Sequence, residues 1–182
     1  RICARAWIHF GFSSLLYYLE FIGVIKISFC DARVYKNAPI RLIVANHIYF
    51  LDIVILVVKY PSAFSLVKKS MAEHPLLRVL VRQSGFIPID NQDADARMRA
   101  FHQIIKALKA NETGIIFPEG SRSLNGKLSA FNKGAFKALM MSETDLTPIV
   151  ISSSELFLGK GSIFANTGHR VHYKLTLFDN IK

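Results

Sequence analysis

The chain has 182 residues, 51% of them hydrophobic, with 23 Lys and Arg against 13 Asp and Glu for a formal net charge of +10. That length suits one domain with a sizeable core, and a mean hydropathy of +0.29 excludes a disordered chain. Two cysteines, Cys3 and Cys30, exclude a disulfide scaffold and a four-cysteine zinc site, and the scattered basic residues exclude the charge stripe of a nucleic-acid binder.

Residue 1 is Arg rather than Met, so the chain is expected to continue upstream. The longest uncharged run, Ala6–Leu19, falls short of the about 20 residues that cross a bilayer, and extending it to Phe29 takes in Glu20 and Lys26. Ser13, Tyr17 and Glu20 recur at helical spacing among Trp7, Phe10, Leu15, Leu16, Leu19 and Phe21. Residues 3–29 therefore read as a helix with a weak polar stripe, lying on or dipping into a membrane interface. The competing reading packs this helix on the core of a soluble domain. No small-residue cleavage pattern follows, so no cleaved signal peptide is expected. A basic chain with 14 Phe suits an anionic, greasy partner such as an anionic membrane surface. The expected location is membrane-associated at the cytoplasmic face, peripheral or monotopic, and the inner membrane if bacterial.

From residue 40 short apolar runs alternate with helical patterns. The strand candidates are Leu42–Ala45, Ala63–Val67, Phe86–Ile89, Gly114–Phe117, Pro148–Ser152 and Arg170–Leu177. The helix candidates are Phe50–Tyr60, Ala72–Arg82, Ala94–Lys109 and Phe131–Met141, the third with Asp93 or Asp95 where an N-cap belongs. This alternation predicts an α/β fold, a mostly parallel central sheet flanked by helices. The last strand follows another strand and is expected at an edge. No repeat or linker splits the chain, so it divides into an N-terminal membrane-associating arm, residues 1–30, and a main domain, residues 31–182.

Two segments carry candidate chemistry. In Ala45-Asn46-His47-Ile48-Tyr49-Phe50-Leu51-Asp52, placed where a strand ends, His47 and Asp52 would lie about 140° apart on a regular helix. They meet only if His47 is on a turn and Asp52 in the first turn of the helix that follows. A carboxylate there accepts one imidazole proton and leaves the other nitrogen as a base. A histidine beside an aspartate is more often structural, so the pair alone does not assign catalysis. In Phe117-Pro118-Glu119-Gly120-Ser121-Arg122-Ser123 a strand breaks at Pro118. Gly120 there permits close backbone approach, and Arg122 offers a planar fork for a phosphate. Glu119 could hold that arginine or a substrate hydroxyl. His9, His47, His74, His102, His169 and His172 show no metal-ligand spacing, so no metal or other cofactor is expected. His102 and His74 read as structural or solvated.

The Asn-His-x4-Asp box (Asn46, His47, Asp52) followed by Phe-Pro-Glu-Gly-Ser-Arg-Ser resembles the lysophosphatidic acid acyltransferase family of glycerolipid acyltransferases, whose hallmark boxes read NHxxxxD and FPEGTRS. Two softer segments, Ser84-Gly85-Phe86-Ile87-Pro88-Ile89-Asp90 and Leu146-Thr147-Pro148-Ile149-Val150-Ile151, resemble its middle motif and late Pro-containing strand, and the likeness covers residues 40–152. Asn91 stands where members commonly have Arg, with Arg97 and Arg99 further on, and Ser121 stands for the usual Thr. Leu158-Gly159-Lys160-Gly161 and the basic tail His169, Arg170 and His172 faintly resemble bacterial members found with aryl-polyene gene clusters.

The resemblance implies a membrane-associated enzyme of phospholipid biosynthesis. It would move a fatty acyl group from an acyl thioester (acyl-CoA or acyl carrier protein as co-substrate) to the free hydroxyl of a lysophospholipid. Lysophosphatidic acid, giving phosphatidic acid, is the default acceptor. It implies His47 and Asp52 as the catalytic dyad, and Lys68, Gly85, Glu119, Gly120, Ser121 and Arg122 as substrate-binding residues. No Gly-x-Ser-x-Gly elbow is present, so direct attack is expected rather than an acyl-enzyme. A non-catalytic lipid-binding module of the same fold is the alternative, against which the intact His47 and Asp52 argue.

Overall fold

Strand β2 (Leu42–Ala45) lies at the middle of the sheet, with Leu42 and Ile43 wholly buried, as a continuous apolar run demands when both faces are covered. In the computed structural model, which describes residues 2–75, 77–90, 92–123, 128–154 and 169–181, its neighbours are β1 (Ile25–Asp31), β3 (Phe64–Lys68), β4 (Ile87–Ile89), β5 (Gly114–Ile116), β6 (Leu146–Ser153) and β7 (Val171–Leu177). Their order is β1-β7-β6-β2-β5-β3-β4. The five strands from β6 to β4 are parallel; β7 is antiparallel to β6 and parallel to β1.

The helices are α1 (Ile2–Phe21), α2 (Leu51–Lys59), α3 (Lys69–Glu73), α4 (Arg78–Ser84), α5 (Ala94–Lys109) and α6 (Lys133–Ser142). Strand side chains alternate between two cores. Ile43 and Ile115 pack with Leu16 of α1 and with Val54, Ile55 and Leu56 of α2. Leu42 and Ile116 pack with Ala100, Ile104 and Leu108 of α5 and Ala138 of α6. Asp93 caps α5, its carboxylate accepting the Asp95 and Ala96 amides, and those bonds hold its carboxyl below the usual range.

Four expectations need correction. Residues 3–29 are not one helix: α1 ends at Phe21, Gly23 takes a left-handed φ of 78°, and β1 follows. The period-two alternation of Ile25, Ile27 and Phe29 with Lys26, Ser28 and Cys30 is a strand signal inside an apolar stretch. β1 pairs along its whole length with β7, so a division after residue 30 falls inside a strand, and the edge position belongs to β1 rather than β7. The helix expected over 72–82 is split into α3 and α4, because Pro75 offers no N–H and forces His74 into extended backbone.

The expected polar stripe of α1 is also broken: Tyr17 is exposed, but Ser13 and Glu20 are half-buried. Glu20 turns inward to accept the Ile27 amide at 2.8 Å. His9 Nε2 donates to the Val58 carbonyl at 3.0 Å, and Arg5 donates to the Ser62 carbonyl. Leu16 is the buried contact, while Trp7, Phe10, Tyr17, Tyr18 and Phe21 are exposed. No described helix is long and apolar enough to cross a membrane.

Gly114 starts β5 where a Cβ would sit 2.7 Å from Phe64 Cζ and 2.9 Å from Leu42 Cδ1, both deep in the core. Gly114→Ala is expected to cost about 1–3 kcal/mol by overpacking, read as a lower denaturant midpoint at unchanged slope. At the end of β1 the Arg33 guanidinium, hydrogen-bonded to Asp31, holds that carboxyl down from 3.8 to about 2. A carboxyl lowered by folding adds stability above its unfolded value, lost as pH falls through the folded one. Asp31→Asn should therefore make stability fall less steeply between pH 3.8 and about 2, followed by circular dichroism during acid titration.

Candidate active site

The carboxyl ends of parallel strands are where an open α/β sheet leaves room for a ligand, and both boxes are delivered there. β2 stops at Ala45, and the next side chain, Asn46, clasps β6: Nδ2 donates to the Ile151 carbonyl at 2.8 Å and Oδ1 accepts the Ile151 amide at 2.7 Å. This side chain continues the ladder where the backbone turns away. His47 then sits on the turn that the five-residue spacing requires, and Asp52 lies in the first turn of α2.

Asp52 has no exposed surface. Its Oδ2 accepts the Ile48 amide at 2.6 Å, the Tyr49 amide at 2.7 Å and His47 Nδ1 at 3.0 Å. An oxygen that already accepts two amides is an acceptor toward the ring, so Nδ1 carries the proton and Nε2 is the basic nitrogen. The imidazole stacks on Phe117, centroids 4.1 Å apart and planes at 20°, and is 18% exposed.

Glu119 does not hold Arg122. Its Oε1 accepts the His47 amide at 2.9 Å and its Oε2 accepts the Ser129 amide at 2.9 Å, while the Ser123 amide donates to the His47 carbonyl at 2.7 Å. The second box thus grips the backbone of His47 on both sides. Gly120 has φ 67°, the left-handed turn a glycine adopts at little cost, and its amide is committed to the Phe117 carbonyl at 3.0 Å.

A cleft of about 770 Å³ opens at this end of the sheet, lined by His47, Lys68, Gly120, Ser121 and Arg122. Its apolar wall comes from Phe12 of α1, Ile53 and Val54 of α2, Leu80 and Val81 of α4, and Phe86. Of the charged residues that line it, Lys68, Arg97, Arg122 and Lys137 are cationic, and none is acidic among the described residues. Such a cleft suits an amphiphile with an apolar tail and an anionic head. Phe12 and Lys137 were not legible as site residues: one belongs to a helix distant in sequence, and the other is brought in only by packing of α6 on α5.

Gly85 lies outside this lining. It ends α4 at φ 79°, where a Cβ would run into the Arg5 guanidinium, and the residue after it reaches the cleft. Lys69, next to Lys68, pairs with Asp90 at 3.6 Å instead of facing the cleft. Arg170 donates to the carbonyls of Glu20 and Ile25, and His172 sits on β7, so the basic tail braces the α1–β1 turn. Asn91 and residues 158–161 lie outside the described residues. Among the described residues no group of three His, Cys, Asp or Glu is placed to hold a metal ion.

The family model described as Acyltransferase matches residues 31–152, a segment that contains both boxes. The chain belongs to the acyltransferase family. A 1-acyl-sn-glycerol-3-phosphate acyltransferase of Borreliella burgdorferi is 27% identical over 141 residues, 75% of this chain and 56% of that protein. One of Chlamydomonas reinhardtii is 31% identical over 121 residues, 66% of this chain and 34% of that protein. This acyltransferase chain therefore spans about half or less of the length of these curated relatives. The crystal structure of the 1-acyl-sn-glycerophosphate acyltransferase PlsC from Thermotoga maritima superimposes with a TM-score of 0.77 at 20% identity, covering 97% of this chain and 68% of that one. The α/β architecture with a mostly parallel sheet is shared with it.

Glu119→Gln tests the double grip. An amide can offer oxygen to only one of the two N–H groups and must turn its NH₂ toward the other. The expected cost is about 1–3 kcal/mol in a denaturant melt, with loss of slow hydrogen exchange at the His47 or Ser129 amide.

Proposed function

We propose that this chain transfers a fatty acyl group from an acyl thioester, acyl-CoA or an acyl carrier protein, to the free hydroxyl of lysophosphatidic acid, forming phosphatidic acid. The observation that carries this reading is the 3.0 Å contact of His47 with buried Asp52 at the mouth of an apolar cleft whose charged lining, among the described residues, is all cationic. The relatives named for acylation of 1-acyl-glycerol-3-phosphate support the acceptor.

A hydroxyl is a poor nucleophile near neutral pH. His47 Nε2 takes its proton as the oxygen attacks the thioester carbonyl; the tetrahedral centre then expels the thiolate, which leaves as the thiol after protonation. Asp52 holds the ring in the required tautomer and stabilises the imidazolium. Such a base contributes about 10²–10⁴-fold, or about 3–5 kcal/mol of barrier. Arg122 and Lys68 hold the acceptor's phosphate, with Gly120 and Ser121 shaping the backbone beneath it, and positioning of this kind contributes on a similar scale. Glu119 serves by fixing His47, and Gly85 by turning Phe86 into the cleft wall. The thioester is itself the activated group, so the reaction calls for no other cofactor.

Helix α1 connects this site to its lipid. Phe12 lines the cleft while Trp7, Phe10, Tyr17, Tyr18 and Phe21 of the same helix are exposed. On this reading α1 lies in the surface of an anionic membrane at the cytoplasmic face, its aromatic side among the headgroups and the +10 charge adding attraction. The lysophospholipid then reaches the cleft without leaving the interface.

The test is an acyl-transfer assay in liposomes with a labelled C16 thioester, lysophosphatidic acid, other lysophospholipids and glycerol 3-phosphate. Diacyl product from lysophosphatidic acid is expected, falling by about 10²–10⁴-fold in His47→Ala. Arg122→Ala should raise KM for phosphate-bearing acceptors by about tenfold or more. Full turnover in His47→Ala would remove the general base from the mechanism. No product from any acceptor with either donor, with liposome binding intact, would make the chain a non-catalytic lipid-binding module.

A further inference from the structure

The hydrogen bonds of Asp52 are lopsided. Oδ2 accepts three, from His47 Nδ1 and from the Ile48 and Tyr49 amides, while Oδ1 is buried and has no partner among the described residues. The hydroxyl of Tyr173 is also buried and likewise lacks a partner. One is half of a charged acceptor, the other a donor, and buried polar groups of that kind are satisfied by a protein partner or an enclosed water.

Tyr173 and Tyr49 belong to one core cluster, and Tyr49 links that cluster to Asp52. Its amide donates to Asp52, and its ring meets that of Tyr173 edge-on with centroids 5.9 Å apart. The β6–β7 register places Tyr173 opposite Ser153, two residues past the Ile151 that Asn46 clasps. An antiparallel β7 thus starts where β6 ends, and it delivers the phenol to the end of the sheet that carries the dyad.

We propose that Tyr173 is a positioning residue of the active site: its hydroxyl donates to Oδ1 of Asp52 through one enclosed water, so that Oδ2 is held in one direction toward His47. Burial, with the nearby Asp52 charge adding to it, pushes the Tyr173 hydroxyl well above the usual phenol range. The group therefore keeps its proton and acts only as a donor. The ionisable groups facing it are Asp52 and Tyr49, with His47 beyond the carboxylate; β1 and β6 place Ile27 and Ser153 beside it. Tyr173 lies outside the segment that the family model matches, so neither box points to it.

This inference rests on His47 and Asp52 acting as the dyad, and the experiment separates the two. Wild type, Tyr173→Phe and Asp52→Asn are compared with a C16 thioester and lysophosphatidic acid, measuring kcat and KM against pH together with thermal melting. Phenylalanine fills the same volume, so Tyr173→Phe should fold and keep KM for both substrates. Its kcat is expected to fall about tenfold and the acid limb of the profile to move up by about half a pH unit or more. The direction follows from charge: without the phenol the undivided carboxylate holds the imidazolium more tightly, so the basic form appears only at higher pH. An unchanged kcat and limb would overturn the proposal. A lower kcat with an unmoved limb would also overturn it, because that is the mark of packing alone. Wild-type turnover in Asp52→Asn would instead overturn the dyad, and this proposal with it.

Discussion

A charged carboxylate taken wholly out of water must be met by donors, and Asp52 is met by two backbone amides and an imidazole. That requirement shapes the turn between β2 and α2. Residues 48 and 49 must aim their N–H groups at one oxygen, and the ring of His47 must fold back over the same point. The geometry that satisfies the buried charge is the geometry that fixes one imidazole nitrogen and frees the other. On the proposed mechanism, structural need and chemical use coincide in one atom, Oδ2.

The rest of the site is arranged around keeping His47 still. Asn46 ties the chain to β6 before the turn, Glu119 and Ser123 grip the His47 backbone from β5's loop, and Phe117 lies flat against the ring. These contacts come from three adjacent strands of the parallel sheet, β6, β2 and β5. A side chain held from several rigid elements loses little freedom when a ligand arrives, and on the proposed reading, with His47 as base, that is the condition under which orientation contributes most. The second box was expected to be a phosphate grip, but its glutamate is committed to backbone amides. Arg122 lines the cleft, but Glu119 faces inward and serves the first box.

Much of the fold was legible because it follows local pattern. The strand Leu42–Ala45 and the helix Ala94–Lys109 have the bounds that apolar runs, amphipathic spacing and the Asp93 cap indicate. Errors arose where pattern and chain connectivity compete. Ile25–Asp31 alternates with period two, but it follows a long apolar helix and only the three residues Ile22, Gly23 and Val24 separate them. Pro75 was present in the middle of a helical pattern whose spacing hid its effect. β7's inner position depends on β1 adding outside it, a pairing between residues nearly the whole chain apart.

The sequence by itself determined the chemistry available: a histidine and an aspartate at a spacing only a turn can close, an arginine after a glycine turn, and apolar runs that must be covered on both faces. Those are properties of short segments, where covalent spacing limits what can meet. Only the tertiary structure decided which groups share the cleft. It spent Glu119 on backbone amides, left Gly85 as a helix end, brought Phe12 and Lys137 to the cleft, and set the Tyr173 ring against Tyr49. Each of those meetings depends on sheet order and helix packing, which are set by burial of surface across the whole chain and by no spacing within a segment.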